Sequence, residues 1–263
     1  MIKNNIRSRA TSSSFLKNRI NLNKKYQKTN FKNWQYKTYA EIIKKLLAKK
    51  GINNIKILDI GSGDGLQVSH FLKIFKSPEI WCLDYSKHSL SSLKKKYKSK
   101  NIKIFTEDMD NLGSFLNKNK LTKYFDIVHS SYALYYSKKQ NKLLNSMKNS
   151  LSDNGIYLIS APTEPHEMVN FVNKISNIQK NILNTLKFYQ NVLIPFLKIN
   201  GKKIINKKKI NFLKFKKNKE FINFWKNTTY YIPKAEKKID LHLKKKKLLK
   251  FKKISAIAAA IKK

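Results

Sequence analysis

Residues 57–67, ILDIGSGDGLQ, contain the most informative pattern in the chain. An apolar, β-rich run enters three glycines at alternate positions, Gly61, Gly63 and Gly65, and the chain leaves them at helical spacing. Glycines between a strand and a helix let the backbone approach a ligand closely, since no Cβ intervenes, and the helix start offers free amides. The pattern therefore predicts a ligand site at the end of a buried strand.

Working outward, strand-like and helix-like stretches alternate five times. The strand-like runs are IKILDI, EIWCLD, NIKIFTED, YFDIVHSS and IYLIS, each followed or preceded by a helical pattern. Such alternation predicts parallel strands joined by right-handed crossovers in a doubly wound α/β sheet. Ligands of these sheets bind at the carboxyl ends of the strands, which is where the glycines lie.

The net charge of +42 raises the question of a nucleic-acid partner, because basic surfaces displace counterions from phosphates. However, 54 of the 57 basic residues are Lys, and Arg is the residue with the bidentate fork suited to phosphates and bases. Residues 52–165 hold 10 of the 15 acids, whereas residues 198–263 hold 23 Lys and 3 acids. The basic excess therefore lies outside the glycine segment, and AT-rich coding bias explains it better than phosphate binding does.

Other features of the sequence bear on the cellular compartment of the protein. No apolar run approaches the ~18 residues of a membrane span, and the basic, Ser-rich start lacks the apolar region of a secretory signal. Cys82 is the only cysteine, which excludes an internal disulfide and indicates a buried thiol in a reducing compartment. We expect a cytoplasmic protein.

The spacing of the glycines limits the classes of ligand that the turn can bind. A dinucleotide turn has its third glycine five positions after the first, where this chain has Leu66, and Asp64 would face a pyrophosphate unfavourably. A P-loop ending is missing too. The pattern indicates a ligand without phosphates, and Asp59 and Asp64 suit a cationic or zwitterionic one. Asp84 ends the second strand, where an acid in such folds can accept both ribose hydroxyls; a helix N-cap is the alternative role.

Four segments together resemble the class I S-adenosylmethionine (SAM)-dependent methyltransferases. They are the acid-x-Gly-x-Gly-x-Gly motif at 59–65, Asp84-Tyr85-Ser86, Glu107-Asp108-Met109, and the FDIVHS strand at 125–130, followed by Leu151 to Gly155. The resemblance covers about residues 34–160. Asn154 stands where the family often has Pro.

This resemblance implies a mostly parallel seven-stranded, Rossmann-like sheet, SAM as the cofactor and S-adenosylhomocysteine (SAH) as the product. It implies a cofactor site formed by the following residues: Asp59, Gly61, Ser62, Gly63, Gly65, Asp84, Tyr85, Asp108, Met109 and His129. The pattern of the chain itself adds an inserted helical cap to this sheet.

Residues that follow the fourth and fifth strands are candidates for the chemistry. His129 and His166 are candidate general bases, because an ordinary histidine pKa suits proton transfer near neutral pH; structural histidines are the alternative. The candidates for contacts with the acceptor are aromatic: Tyr132, Tyr135, Tyr136 and Trp225. Packing alone could also explain these aromatics. The five His and one Cys show no metal-ligand spacing.

The predicted organisation is a flexible basic arm over 1–30 and a single methyltransferase domain over 31–263. Residues 164–209 form a helical insertion that shapes the acceptor site, with a long helix over 167–189. A sixth strand is expected at 209–215, and a strand is preferred over a helix for the C-terminal KISAIAAAIKK.

The leading function is methyl transfer to the oxygen or nitrogen of a small molecule. A nucleic-acid methyltransferase is the first alternative, but His129-Ser130-Ser131-Tyr132 replaces the Asn/Asp-Pro-Pro-aromatic motif of amino-methylating enzymes. The second alternative is a cofactor-binding protein without catalysis, which the intact glycine motif and Asp84 disfavour. An acidic carrier protein that presents the substrate would also suit the charge.

Overall fold

The structure is a computed structural model that describes residues 13–27, 31–48, 53–177, 180–244 and 248–263. Its first half alternates helices and strands as the sequence predicts. The elements are α1 (Ser13–Tyr26), α2 (Phe31–Leu46), β1 (Lys56–Ile60), α3 (Leu66–Ile74), β2 (Glu79–Asp84), α4 (Lys87–Lys96), β3 (Ile102–Thr106), α5 (Leu112–Lys118), β4 (Phe125–Ser131) and α6 (Gln140–Ser150).

The second half contains longer strands and a helical segment. The elements are β5 (Leu151–His166), α7 (Glu167–Ser176), α8 (Lys180–Phe188), a π-helical turn (Tyr189–Leu193), α9 (Ile194–Asn200), β6 (Gly201–Phe215), α10 (Asn218–Lys226), α11 (Glu236–Leu243) and β7 (Leu249–Lys262).

Seven strands form one sheet in the order β3-β2-β1-β4-β5-β7-β6 over the described residues. The pairs β1–β2, β2–β3, β1–β4 and β4–β5 are parallel, and antiparallel strands lie at the other end of the sheet. The strand order reverses beside β1, so the carboxyl ends of β1, β2 and β4 form the crevice where such sheets bind ligands. The predicted fold class is confirmed.

The chain divides into two compact units. The first, called here the sheet unit, comprises the described residues of 31–161, 189–207 and 256–263. Its core is mostly aliphatic and includes the fully buried residues Ile57, Ile127 and Leu158. The second, called here the aromatic unit, comprises the described residues of 1–30, 162–188 and 208–255. Each unit has a hydrophobic core of its own, whereas the sequence predicts one domain over 31–263.

The expected flexible arm differs from the structure over residues 13–26, which form α1, while residues 1–12 lie outside the described part. Tyr26 explains the helix. Its ring lies 4.8 Å from the ring of Phe215 and 6.1 Å from that of Phe224, and it is buried. Tertiary packing of Tyr26, together with Leu22 against the same core, therefore accounts for a helix in a segment whose own composition is polar.

The elements within residues 164–209, the predicted helical insertion, differ from those that the sequence predicts. The single long helix over 167–189 is two helices, α7 and α8, and β6 begins at Gly201, inside the range given to the insertion. The side chains of β6 alternate between exposed and partly exposed over much of its length, and many are Lys. Because β6 is the last strand of the sheet, its lysines can stand in water, where a charged edge also opposes strand pairing with other chains. The C-terminal segment is a strand, as predicted.

Candidate functional site

The glycine turn connects β1 to α3 and has an unusual backbone. Gly61, Gly63 and Gly65 all have positive φ, at 75°, 56° and 82°. The amides of Gly61 and Ser62 donate to the carbonyl of Leu83 at 2.7 and 3.1 Å, which holds the turn against the end of β2. A left-handed backbone at alternate positions strains any side chain, so this conformation requires glycine.

A methyl group added to each glycine would meet different surroundings. At Gly61 a Cβ would lie 2.4 Å from the Cβ of Ala133, and at Gly65 it would lie 2.8 Å from the ring of Tyr97. At Gly63 nothing lies within 4 Å of that position. Gly61 and Gly65 are therefore required for packing as well as for the turn, whereas Gly63 faces open space that a ligand can occupy.

Asp84 lies beside this space at the end of β2. Its Oδ2 accepts a hydrogen bond from the amide of Gly63 at 2.9 Å, and its Oδ1 accepts one from the amide of Ser86 at 2.7 Å. Ser86 in turn caps α4 by accepting from the amide of Ser89. Two backbone amides thus orient the Asp84 carboxylate, which is only partly buried, and Tyr85 next to it is 55% exposed.

Asp108 and Met109, two of the predicted cofactor residues, follow the end of β3. Asp108 Oδ1 accepts from the amide of Asp110 at 2.8 Å and so begins the 3-10 turn Met109–Asn111. Glu107 Oε1 accepts from the amide of Asp108 at 2.9 Å. The backbone at Asp108 and Met109 is therefore set by local capping bonds, and both residues are partly exposed.

Two of the predicted cofactor residues have their side chains turned inward. Ser62 is buried, and its hydroxyl donates to the carbonyl of Asp59 at 2.7 Å. Asp59 is fully buried, and its Oδ1 lies 2.7 Å from His129 Nδ1. Its Oδ2 is also buried, without a hydrogen-bond partner among the described residues. These two side chains therefore support the glycine turn from the protein interior.

His129 is fully buried between Asp59 and Tyr39, whose hydroxyl lies 2.9 Å from His129 Nε2. Both ring nitrogens therefore have partners inside the sheet unit. Burial raises the pKa of Tyr39, and hydrogen bonds from its neighbours oppose this only in part, so Tyr39 stays neutral and keeps a proton to donate. The arrangement favours a positioning role for His129 over proton transfer to an acceptor.

His166 belongs to the aromatic unit, where its Nδ1 accepts from the amide of Val169 at 3.4 Å and caps α7. Burial, together with the charge of Lys253, lowers the pKa of His166 to about 3. The ring also contacts Tyr230 edge to face. His166 is thus a neutral capping residue near neutral pH.

The predicted acceptor contacts lie in two places. Tyr132, Tyr135 and Tyr136 follow β4 in the sheet unit and are partly exposed, with the last two rings 4.5 Å apart. Trp225 is fully buried in the core of the aromatic unit, and its Nε1 donates to the carbonyl of Tyr230 at 3.0 Å. Packing therefore accounts for Trp225, which is the alternative that the sequence left open for the aromatic candidates.

Sequence reasoning missed a buried set of polar side chains that surrounds His129, which we call the polar chain. Its members come from α2, β1, α3, β4 and β5: Gln35, Tyr39, Asp59, Gln67, His70, His129, Ser131 and Ser160. The spacing of Gln35 and Tyr39 places both on one face of α2, but nothing in the sequence relates them to His129.

Other observations concern metals, the membrane and charge. Within the described ranges, no group of three or more His, Cys, Asp and Glu side chains is placed to hold a metal ion. No helix in the same ranges is both long and apolar enough to cross a bilayer. Asp64, considered above as a partner for a cationic ligand, pairs with Lys96 at 3.0 Å on the surface. Cys82 is buried, as expected.

The comparisons with known proteins agree with this geometry. Residues 52–232 match the family model described as "Methyltransferase domain", so the chain belongs to that family. The predicted class, a SAM-dependent methyltransferase with a Rossmann-like fold, is confirmed. None of the curated protein sequences matches the chain significantly.

Solved structures show the same fold at low identity. The plantazolicin methyltransferase BpumL in complex with SAH is 15% identical, with a TM-score of 0.57 over 99% of this chain and 95% of that one. The YcgJ protein from Bacillus subtilis is 13% identical, with a TM-score of 0.52 over 85% of this chain and 97% of that one. The CurJ carbon methyltransferase is 11% identical, with a TM-score of 0.53 over 86% of this chain, which spans 54% of the CurJ chain.

Proposed function

We propose that this protein transfers a methyl group from SAM to the oxygen or nitrogen of a small-molecule acceptor. The observation that supports it most directly is the open space at Gly63 beside the Asp84 carboxylate. When bound, SAM supplies a methyl group that its sulfonium already activates for in-line displacement. The task left to the protein is to hold the reacting atoms in line and dry, which can contribute roughly 7–11 kcal/mol.

The residues present fit an adenosyl group. Asp84 has its carboxylate fixed by two amides and remains accessible, so it accepts the ribose hydroxyls. Gly63 lets the ligand lie against the backbone, because any side chain there would point into the ligand space. Asp108 and Met109 flank the adenine at the end of β3. SAH in the complex with BpumL, a protein of the same fold, is consistent with this assignment.

The histidines have other parts in this proposal. His129 holds Asp59 and, through it, the floor of the glycine turn, since its ring has no access to solvent. His166, with a pKa of about 3, is a poor base at neutral pH and caps α7. Tyr132, Tyr135 and Tyr136, partly exposed after β4, form the wall nearest the acceptor within the sheet unit.

Calorimetric titration with SAM and SAH tests the proposal through Asp84→Ala. We expect both ligands to bind the wild type, and the variant to lose about 1.5–3 kcal/mol of binding free energy, the usual value of hydrogen bonds to a charged group. Asp153→Ala is the matched control, because Asp153 is an exposed acid of the same unit that forms a surface ion pair with Lys123 at 3.2 Å.

Circular dichroism must first show that both variants are folded, because Asp84 also supports the turn. Equal binding by wild type and folded Asp84→Ala would contradict the ribose assignment. Failure of both ligands to bind the folded wild type would overturn the proposed function itself.

A further inference from the structure

Two cations of the aromatic unit, Arg19 on α1 and Lys253 on β7, lie close to each other. Phe251 and Ser255, two residues before and after Lys253 along the strand, are buried. Side chains two apart leave a strand on the same face, so the Lys253 side chain points into the unit. Its Nζ donates to Asn23 Oδ1 at 2.8 Å. The ammonium group therefore lies against α1.

Asn23 connects the two cations. Its Nδ2 donates to the carbonyl of Arg19 at 2.8 Å, which fixes the amide with its oxygen toward Lys253. Residues four apart share one face of a helix, so Arg19 is on the face of α1 that Lys253 contacts. Burial, and then the charge of Arg19, lower the pKa of Lys253 to about 8. The guanidinium is thus near the ammonium, which is still mainly protonated at neutral pH.

No acid compensates these two charges. Among the residues that the structure describes, which include all 15 acids of the chain, none forms an ion pair with Arg19 or Lys253. Glu167 reaches the neighbouring residue of β7, where its Oε2 accepts from the amide of Lys252 at 2.6 Å. Like charges without a counterion repel each other, and an anion bound between them would remove this repulsion.

Both cations also have unused hydrogen-bond donors. Asn23 takes one of the three N–H groups of the Lys253 ammonium, and the guanidinium of Arg19, with five, has no partner within the described ranges. Arg19, Asn23 and Lys253 are each partly exposed, so small solutes can reach these donors from water. A guanidinium fork beside an ammonium is an arrangement that suits oxyanions.

We propose that Arg19 and Lys253 form an anion-binding site of the aromatic unit, with Asn23 positioning the ammonium, and that its ligand is a small molecule with a terminal phosphate group. Two cations match the two negative charges of such a group, whereas a carboxylate or a phosphodiester has one. The site goes beyond the proposed methyl transfer, because all its residues belong to the aromatic unit and it requires neither SAM nor the glycine turn.

Calorimetric titration with inorganic phosphate, without SAM, tests the site in wild type, Lys253→Met and Arg19→Met. At about pH 7.5 phosphate is mainly a dianion and Lys253 is still mainly protonated. We expect one saturable site in wild type and roughly 10- to 100-fold weaker binding in either variant, the range for hydrogen bonds to a charged group.

Lys24→Met is the matched control. Lys24 is an exposed lysine of α1, so this variant removes the same charge from the same helix outside the site. In about 0.1 M salt, which screens distant charges, its phosphate affinity should stay within about twofold of wild type.

Three further probes define the group that binds. Methyl phosphate keeps two charges and should bind within about threefold of inorganic phosphate. Dimethyl phosphate, a diester with one charge like the links of a nucleic-acid backbone, and acetate should bind at least about tenfold more weakly. Equal affinity for dimethyl phosphate or for acetate would overturn the terminal phosphate as the ligand.

Asn23→Asp tests the site with little change in side-chain volume. The new carboxylate would pair with Lys253 and repel an anion, so phosphate binding should weaken as strongly as in Lys253→Met. Melting followed by circular dichroism gives a second measurement, because a ligand that binds only the native state stabilises it. Phosphate should raise the melting temperature of wild type and Lys24→Met, but not that of Lys253→Met. The last variant should fold, since an apolar replacement of a buried charge is often neutral or stabilising.

Equal phosphate affinities in wild type, Lys253→Met and Arg19→Met would overturn the site. An equal loss of affinity in Lys24→Met would do so too, because the net charge of the chain would then explain the binding. The absence of saturable phosphate binding by folded wild type would also overturn it. Since these titrations contain no SAM, their failure is distinct from failure of the proposed methyl transfer.

Discussion

The two units differ in the side chains that they bury. The core of the aromatic unit contains a cluster of rings among aliphatic side chains, with Phe215, Phe221 and Trp225 fully buried and in contact with one another or with their neighbours. The sheet unit has a mostly aliphatic core, but it also buries the polar chain next to its ligand crevice. Hydrophobic burial depends on area and shape, whereas a buried polar group is stable only while its partners are in place.

This difference means that the same kind of substitution should have unequal consequences in the two units. A core of rings loses stability in proportion to the volume removed. A polar chain loses little volume when one atom is removed, but that atom leaves its partners unsatisfied in a dry environment. The three experiments that follow measure these effects separately.

The largest loss is expected from Trp225→Ala. Removing a fully buried indole leaves a cavity and also ends the hydrogen bond to Tyr230, so unfolding free energy should fall by about 3–5 kcal/mol. Urea denaturation followed by circular dichroism measures it. Trp34→Ala, at a partly buried tryptophan on the edge of the other core, should cost clearly less. Similar losses for the two would remove the contrast between the units.

An intermediate effect is expected from acid, through one buried histidine in each unit. Burial lowers the pKa of His166 to about 3 and that of His70 to about 4, from an ordinary 6.5. Below pH 6.5 these two histidines bind protons in the unfolded chain but stay neutral in the folded chain. Their contribution to the unfolding free energy is therefore complete above pH 6.5 and decreases as the pH falls toward the folded pKa. Near pH 5, each histidine should therefore have lowered the unfolding free energy by about 2 kcal/mol relative to neutral pH.

His166→Asn isolates the share of the aromatic unit. Asparagine also caps helices, so the variant should be close to wild type in stability near neutral pH. Between about pH 7.5 and about pH 5 its unfolding free energy should fall by about 2 kcal/mol less than that of wild type. Parallel pH profiles for the two proteins would show that His166 is not held neutral in the folded state.

The smallest effect is expected from Tyr39→Phe, which removes one oxygen from the polar chain. His129 Nε2, Gln35 and Ser160 each lose a partner, so unfolding free energy should decrease by about 1–2 kcal/mol despite the preserved ring. Tyr124→Phe is the control. Its acceptor Glu79 keeps Trp81 and Lys103, so the loss should be smaller. An unchanged unfolding free energy in Tyr39→Phe would mean that the polar chain adds no stability.

The ligand crevice was predictable because its main parts are short segments of sequence. Three glycines at alternate positions determine a turn by themselves, since other residues rarely adopt positive φ. The alternation of strands and helices places that turn and Asp84 at one edge of the sheet. The helix α1 and the early start of β6 were not predictable in this way, because Lys-rich composition conceals elements that are ordered by packing or lie at an edge.

The sequence alone thus determined the fold class, the glycine turn and the acid beside it, because each depends on residues close together in the chain or on a regular period. Only the tertiary structure decided the role of His129 and the identity of the polar chain. Gln35, Asp59, His129 and Ser160 are far apart in sequence and meet through hydrogen bonds between α2, β1, β4 and β5. Such bonds depend on atomic distance and direction, which no local pattern of residues records.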